Sequence, residues 1–352
     1  MQNRSNALTQ RGGDSIVMDR YTEGLRRLGV QVDQNFTTNA DLSAYDLIHL
    51  YNFALPELAA HLSQCAHLAG KPYVVTTLYE DWPMFYNQMQ LYAQALFGYV
   101  RAGQPRDRWA ELDAAVRESE PHKPLDNSWS ATHAAALLAT GENEVRSLKR
   151  DYGESVRCEV AHLGCEVAAF TDDGSHFRAQ FGERDFVLCV GRLETRKNQL
   201  MLLKALEESE LTVVFAAGGF TYQPEYEAAC KAFKRKGRTL FLERLSPELL
   251  SSAYAAARVH ALPSWYELPG LVSLEAARLG CNVVVSDLGT SRDYFRELGF
   301  YARPDSPDDI LNAVTAAYYA PKNPRLAERI AEFTWERSVE ELVSIYRKVL
   351  GG

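Results

Sequence analysis

Two carboxylates and two cations stand out by residue type and spacing. Glu267 and Glu275 lie eight positions apart in the otherwise apolar run PSWYELPGLVSLEAARLG, residues 263–280. A buried carboxylate is costly without a partner, so each acid must hold something. Glu275 is flanked by Leu274, Ala276 and Ala277. Two partners fit it: hydroxyl groups of a bound sugar, or Arg278 at i,i+3 spacing. Glu267 precedes a helix that starts near Gly270, and free N–H groups at Gly270, Leu271 and Val272 would suit a phosphate. The cations are Arg192 and Lys197 in VGRLETRKN. Leaving one strand tip together, they suit an anion such as a diphosphate; a solvated basic turn reads the same way.

The elements that must position these groups alternate in type. DFVLCVGRL, LTVVFAAGG, TLFLER, VHALPSW, NVVVSD and FYARP read as strands, separated by stretches of helical spacing. Ser246 is placed to cap the helix SPELLSSAYAAA. Apolar strands alternating with helices predict a parallel sheet covered on both faces, with ligands at the carboxyl ends of its strands. The first half repeats the pattern more weakly, with strands in VQVDQNF, YDLIHLYN, KPYVVTTLY, HAAALLATG and VRCEVAHL. No strand is evident before Gly12-Gly13, where such a sheet usually begins, so that strand is short, atypical or missing. The polar stretch 166–185 reads as a linker. MFYNQMQLYAQALFGYV, residues 84–100, is aromatic and uncharged; it fits an ordinary buried helix, or an apolar face for a lipid-linked acceptor or membrane surface.

Composition narrows the function. A chain of 352 residues exceeds what one core usually serves, so two domains are expected. A net charge of −8 argues against a dedicated nucleic-acid binder. The six cysteines form no C-x-x-C pair, which signals neither zinc nor redox chemistry and fits a reduced, cytoplasmic setting. No signal peptide and no run of about 18 apolar residues is present. G-x-G-x-x-G, the P-loop and G-x-S-x-G are absent. So is Asp-x-Asp, the usual grip on a metal-bound nucleotide sugar.

VGRLETRKNQ, the glycine-ended strand LTVVFAAGG, and LPSWYELPGLVSLEAARLGCNVVVSDLGT follow in an order and at distances that resemble the donor half of a retaining, GT-B-fold glycosyltransferase of family 4. The resemblance is specific over about 185–305 and weaker before it. It implies an α/β fold of two Rossmann-like domains facing across a cleft. The first, 1–167, would bind the acceptor; the second, 168–333, would bind the nucleotide sugar; a last helix, 334–352, would return to the first. It implies that Glu275 holds the donor ribose, Glu267 faces the transferred sugar, and Arg192 and Lys197 bind the diphosphate beside Gly270, Leu271 and Val272. Gly12 and Gly13 resemble the loop under the donor phosphates. His133 is the candidate for a catalytic histidine, and backbone groups around Arg244 and Leu245 would read the base.

The implied reaction is metal-independent transfer of a hexosyl group from a GDP- or UDP-linked sugar to an acceptor hydroxyl. No cofactor is expected beyond the nucleotide-sugar donor. The acceptor would be a saccharide or lipid-linked saccharide in polysaccharide, lipopolysaccharide or glycolipid assembly, with peripheral contact at the inner membrane face. Rival readings are a nucleotide-sugar epimerase of the same fold and a non-catalytic nucleotide-sugar binder. The chain departs from the family in Glu267-Leu268-Pro269-Gly270, where Glu-Gly-Phe-Gly is usual, and in SDLGTSRDYF, which lacks the common double glycine. Tyr79, Glu80 and Asp81 follow a strand where the family often places its histidine; Glu80 and Asp81 fit acceptor contacts, a helix cap, or both.

Overall fold

In the computed structural model the described residues are 1–105, 108–117, 122–167, 172–218 and 221–351. The chain opens with α1 (Gly13–Arg27), β1 (Ile48–Tyr51), α2 (Pro56–Leu68) and β2 (Tyr73–Thr76). Then come α3 (Trp82–Arg101), α4 (Trp109–Arg117), α5 (Ser128–His133), β3 (Ala136–Ala139), α6 (Glu142–Tyr152) and β4 (Cys158–Val160). The second half begins with α7 (Ser175–Phe181), β5 (Val187–Val190), α8 (Gln199–Ala205), β6 (Val213–Ala216), α9 (Pro224–Ala232) and β7 (Thr239–Leu242). It continues with α10 (Pro247–Ala256), β8 (Val259–Leu262), α11 (Leu271–Arg278), β9 (Asn282–Ser286), α12 (Ser291–Phe295) and β10 (Phe300–Ala302). The chain closes on α13 (Pro307–Tyr319), α14 (Pro324–Ile330) and α15 (Trp335–Leu350). Ser246 caps α10 as its position predicts, accepting from Leu249 N.

Two compact units share this chain. One is Met1–Asp81, Lys123–Glu166 and Phe333–Gly352; the other is Trp82–His122 and Val167–Glu332. The domain expected at 1–167 is therefore interrupted, because α3 and α4 belong to the second unit. The cause is the aromatic face of α3. Phe85 stacks on Tyr266 at 5.7 Å between ring centroids, Tyr92 on Trp265 at 5.7 Å, and Phe97 meets Tyr226 edge-on at 6.1 Å. Phe85, Met89, Tyr92, Leu96 and Tyr99 are buried there, so this face is covered by protein and is not open to lipid. The boundary expected at 167/168 touches residues 168–171, which lie outside the described set, as do Gly219 of the glycine-ended strand and Gly352.

The first unit carries a parallel sheet in the order β1-β2-β3-β4. Its opening strand exists in reduced form. Gln2 bridges Leu50 on one side and Asn35 on the other, both in parallel. Gln2 N donates to His49 O at 2.8 Å, and Asn35 N to Met1 O at 2.8 Å. The strand expected across VQVDQNF contracts to that one bridge at Asn35. Helix α15 packs on α1 at Gly24, where a Cβ would stand 2.4 Å from Val339 Cγ2.

The second unit carries a parallel sheet in the order β10-β9-β8-β5-β6-β7. The chain builds outward from β5 through β6 and β7, then crosses to β8 on the other flank of β5 and builds outward again. The direction reverses between β5 and β8, and a crevice opens beyond the carboxyl ends of strands at such a reversal. Here those ends carry Arg192–Lys197 and Pro263–Glu267.

Candidate active site

After Val190 the chain turns through Gly191 into a 3-10 turn, Thr195–Lys197, and Asn198. Asn198 adopts φ +62, a left-handed conformation that asparagine tolerates better than most residues. Its buried amide donates to Pro263 O at 3.0 Å and to Pro304 O at 2.8 Å. The β5 turn is thereby tied to the β8 loop and to the end of β10. Two further bonds lock the first pair of loops: Trp265 N donates to Arg196 O at 2.8 Å, and Arg196 Nη1 donates to Tyr266 O at 2.9 Å.

That frame brings Lys197 Nζ to 2.6 Å from Glu267 Oε1, with Arg196 Nη1 at 3.7 Å. Glu267 is 5% exposed. Burial pushes its carboxyl up, but Lys197 and Arg196 outweigh burial and hold it below the ordinary range. The backbone of Glu267 is fixed as well: it bridges Gly289, and Thr290 N donates to its carbonyl at 2.9 Å. Arg192 Nε lies 3.3 Å from Glu194 Oε2, and its guanidinium stands 5.3 Å from the centroid of the Tyr222 ring.

Gly270 caps α11 at φ +87, with room for a Cβ no nearer than 3.2 Å to Glu267 Oε2. Leu271 and Val272 are the first helical residues, whose N–H groups have no acceptor inside the helix. One turn further, Glu275 is half-buried and accepts from Tyr254 OH at 3.2 Å. Burial pushes its carboxyl up to about 7 against that hydrogen bond. The local alternative, an i,i+3 pair with Arg278, does not form: Arg278 is exposed, and among the described residues Tyr254 is the partner. Arg244 and Leu245 follow β7 at the same sheet edge, Arg244 exposed.

Arg192, Lys197, Glu267, Gly270, Leu271, Val272 and Glu275 thus share the carboxyl edge of one sheet, around its β5/β8 reversal. Gly12 and Gly13 belong to the first unit, at the start of α1; a Cβ on Gly12 would meet Asp14 Oδ1 at 2.9 Å, and one on Gly13 would meet nothing. His133 ends α5, just before β3, at the amino edge of the first sheet, opposite the edge where ligands of such sheets sit. It is exposed, stacks on Trp129 at 4.2 Å, and its Nδ1 lies 2.9 Å from Trp129 O. The catalytic part expected of His133 does not fit that place. Asp81 is held by Arg150 at 2.7 Å and by Ser147 at 2.9 Å.

Residues 174–336 match the family described as glycosyl transferases group 1. A D-inositol 3-phosphate glycosyltransferase from Rhodococcus erythropolis is 27% identical over 96% of this chain and 86% of its own length. A sucrose-phosphate synthase from Thermosynechococcus elongatus superposes at a TM-score of 0.73, with 16% identity, over 99% of this chain and 98% of that one. The chain is a glycosyltransferase of the GT-B fold. The Anabaena HepE protein, solved with UDP, has the same fold at a TM-score of 0.68 and 16% identity, over 99% of this chain and 98% of its own.

Several residues of this glycosyltransferase's candidate site carry no signal in the spacing of the sequence. Arg196, Asn198, Tyr254 and Gly289 act through tertiary contacts with segments far along the chain. Of these, Asn198 and Gly289 have a residue-type signal, since both occupy left-handed turns after strands. His260, on β8, is fully buried, among the described residues neither of its ring nitrogens has a hydrogen-bond partner, and burial pushes its pKa down to about 3. It is therefore a neutral ring beneath the Lys197–Glu267 pair, too weak a base to take part as a charged group.

Proposed function

We propose that this glycosyltransferase moves a hexosyl group, with retention, from a nucleoside-diphosphate sugar to a hydroxyl of a sugar or cyclitol acceptor. The observation that carries the reading is the convergence at the β5/β8 reversal: two cations from one strand tip, the N-terminus of α11, and two carboxylates on either side of it. The HepE neighbour was solved with UDP and with UDP-glucose, which makes UDP-linked hexoses the first donors to try. The name of the Rhodococcus relative favours a phosphorylated cyclitol among acceptors.

In this reading Glu275 accepts hydrogen bonds from the donor ribose, displacing Tyr254 OH or sharing with it. Arg192, Lys197 and the first N–H groups of α11 receive the diphosphate. As the glycosidic bond breaks, negative charge grows on the leaving phosphate, and preorganised cations and dipoles there lower the barrier. Lys197 then bridges two anions, the leaving group and Glu267, which faces the transferred sugar. These groups supply the neutralisation for which a divalent ion is otherwise used, so transfer should persist in EDTA. A donor panel of UDP-glucose, UDP-N-acetylglucosamine and GDP-mannose, with inositol phosphate and hexose phosphates as acceptors, tests the whole reading. Inversion at the anomeric carbon would remove the retaining mechanism. Isomerised donor without acceptor would indicate an epimerase, and binding without turnover a non-catalytic binder. A lipid-linked saccharide is the further acceptor to add to that panel; among the described residues no helix is long and apolar enough to cross a membrane.

Glu275 gives the reading a pH signature. Its carboxyl is raised to about 7, so near neutrality a large share is protonated. Ribose hydroxyls donate, and only the ionised form accepts from both. UDP affinity should therefore rise between pH 6 and pH 8 by about tenfold, with proton release on binding. Calorimetry in buffers of different ionisation enthalpy measures both. The Glu275→Gln variant separates this from titration of UDP itself: it should lose most of the pH slope. Glu275→Ala should weaken UDP binding by about 1–3 kcal/mol; unchanged affinity would take the ribose role from Glu275.

A further inference from the structure

We propose that α3 is a positioning element for Glu267, acting through Phe85 on Tyr266. The inference rests on the reading of Glu267 as the carboxylate that faces the transferred sugar and steers Lys197. Its basis is where the helix goes. β2 ends in the first unit, and Asp81 is anchored there by Arg150 and Ser147. One residue later the chain enters the second unit, and α3 runs across that unit's core.

The residues it covers are those next to the site. Trp265 and Tyr266 immediately precede Glu267, and each is 2% exposed. Tyr92 lies against Trp265 with planes 29° apart, and Phe85 against Tyr266 with planes 18° apart. The same helix packs on the Thr195–Lys197 turn. One helix thus touches both loops whose tips form the Lys197–Glu267 pair.

The helix is itself firmly held. Tyr92 OH donates to Asp113 Oδ1 at 2.6 Å, joining α3 to α4. At its far end Tyr99 OH lies 2.9 Å from both Lys204 Nζ and Glu207 Oε2, and the Lys204 ammonium stands 4.4 Å from the Tyr99 ring centroid. Backbone bonds already fix the path of the Glu267 loop. What Phe85 adds is a flat wall behind the Tyr266 ring. Stacked rings of this kind contribute beyond area burial and have a preferred geometry. Without the wall, Tyr266 gains a second rotamer, and the side chain next to it loses its fixed aim. Phe85 is a positioning residue, since it touches neither the donor nor the reacting atoms.

The test reads the Lys197–Glu267 pair directly, then turnover. In the whole protein, Lys197 is labelled with an amine-reactive succinimidyl ester and quantified by peptide mass spectrometry, with exposed Lys231 as internal reference. Phe85→Leu should raise Lys197 labelling several-fold relative to Lys231. With UDP-glucose as probe donor, its kcat should fall by about tenfold, a modest share of what a misplacement near 1 Å can cost. UDP affinity should fall by less than kcat does, because Glu275, Arg192 and the first N–H groups of α11 keep their places and only Lys197 loosens. Glu267→Gln is the control: it removes the partner charge and must raise Lys197 labelling. If Glu267→Gln raises it and Phe85→Leu does not, the positioning role is overturned while the site stands. If neither raises it, the Lys197–Glu267 pair fails, and the reading of the site fails with it. Equal loss of UDP affinity, labelling protection and thermal stability in Phe85→Leu would mark general loosening and overturn the proposal as well. Tyr92→Leu, one contact further from Glu267, should show the same pattern at smaller size.

Discussion

Replacing Lys197 by alanine is expected to lower hexosyl transfer by about 100- to 1,000-fold, the scale of losing one preorganised group that meets developing negative charge. The same change should destabilise the protein, for a separable reason. Glu267 is 5% exposed, and Lys197 at 2.6 Å is its main counter-charge. Removing one member of a buried pair strands the other, at about 3–5 kcal/mol. Arg196 at 3.7 Å offsets part of this. The pH dependence has a definite sign. With Lys197 present the Glu267 carboxyl lies below its ordinary range, so its stabilising contribution is present above the pKa of an unfolded glutamate and is lost as pH falls through the folded value. Without Lys197, burial dominates and pushes the folded pKa above that of an unfolded glutamate, so the sign reverses: the variant keeps its stability at acid pH and loses it as pH rises towards and beyond neutrality. Adding Glu267→Gln to Lys197→Ala should restore much of the melting temperature and none of the turnover. Thermal denaturation at pH 5 and pH 8, together with transfer assays at saturating donor, checks both halves. Turnover within threefold of the parent would refute the leaving-group role.

The second sheet was legible in the sequence because its strands are continuous apolar runs between polar turns. LCV in β5 and VVV in β9 can hardly be anything else once helices separate them. The residues at the tips, Arg192, Lys197, Glu267 and Glu275, were legible by type. Their partners were not. Lys197 and Glu267 are 70 positions apart, and they meet only because β8 crosses back beside β5, a choice made by strand pairing. For Glu275 the local candidate was Arg278, and a tyrosine from another helix took its place. His133 has a plausible residue type, but the strand that follows it puts it at the amino edge. The opening strand was legible only as short, atypical or missing, because its pairing runs through backbone groups of Met1, Gln2 and Asn3, which leave no trace in side-chain pattern. The membership of α3 was hidden for the opposite reason. Its apolar face was plain, but whether it covers the sheet next to it in sequence or a distant one is settled by the aromatic rings waiting at Trp265 and Tyr266.

Gly289→Ala should be the most damaging single methyl in the second unit. Gly289 has φ +88, and a Cβ there would lie 2.1 Å from Glu267 O and 2.9 Å from Glu267 N. These are backbone atoms, so no side chain can swing aside. One of the two loops must move, and the bridge between them, with its 2.9 Å bond from Thr290 N to Glu267 O, must break. A left-handed residue with a Cβ already costs about 1–2 kcal/mol; displacing the loop should bring the total to about 3 kcal/mol or more. Gly280→Ala is the matched comparison. Its φ is +87, nearly the same, yet a Cβ there meets nothing within 4 Å. Gly280→Ala therefore carries the backbone strain alone and should leave turnover near the parent value. The difference between the two variants in urea denaturation isolates the close approach of the two loops. The difference in turnover isolates its consequence, because only Gly289→Ala moves the carbon skeleton of Glu267, and a shift near 1 Å at such a group can cost about 100-fold. If the two alanines prove equally mild, the Glu267 loop does not run against Gly289, and the aim of Glu267 must be set by some other contact.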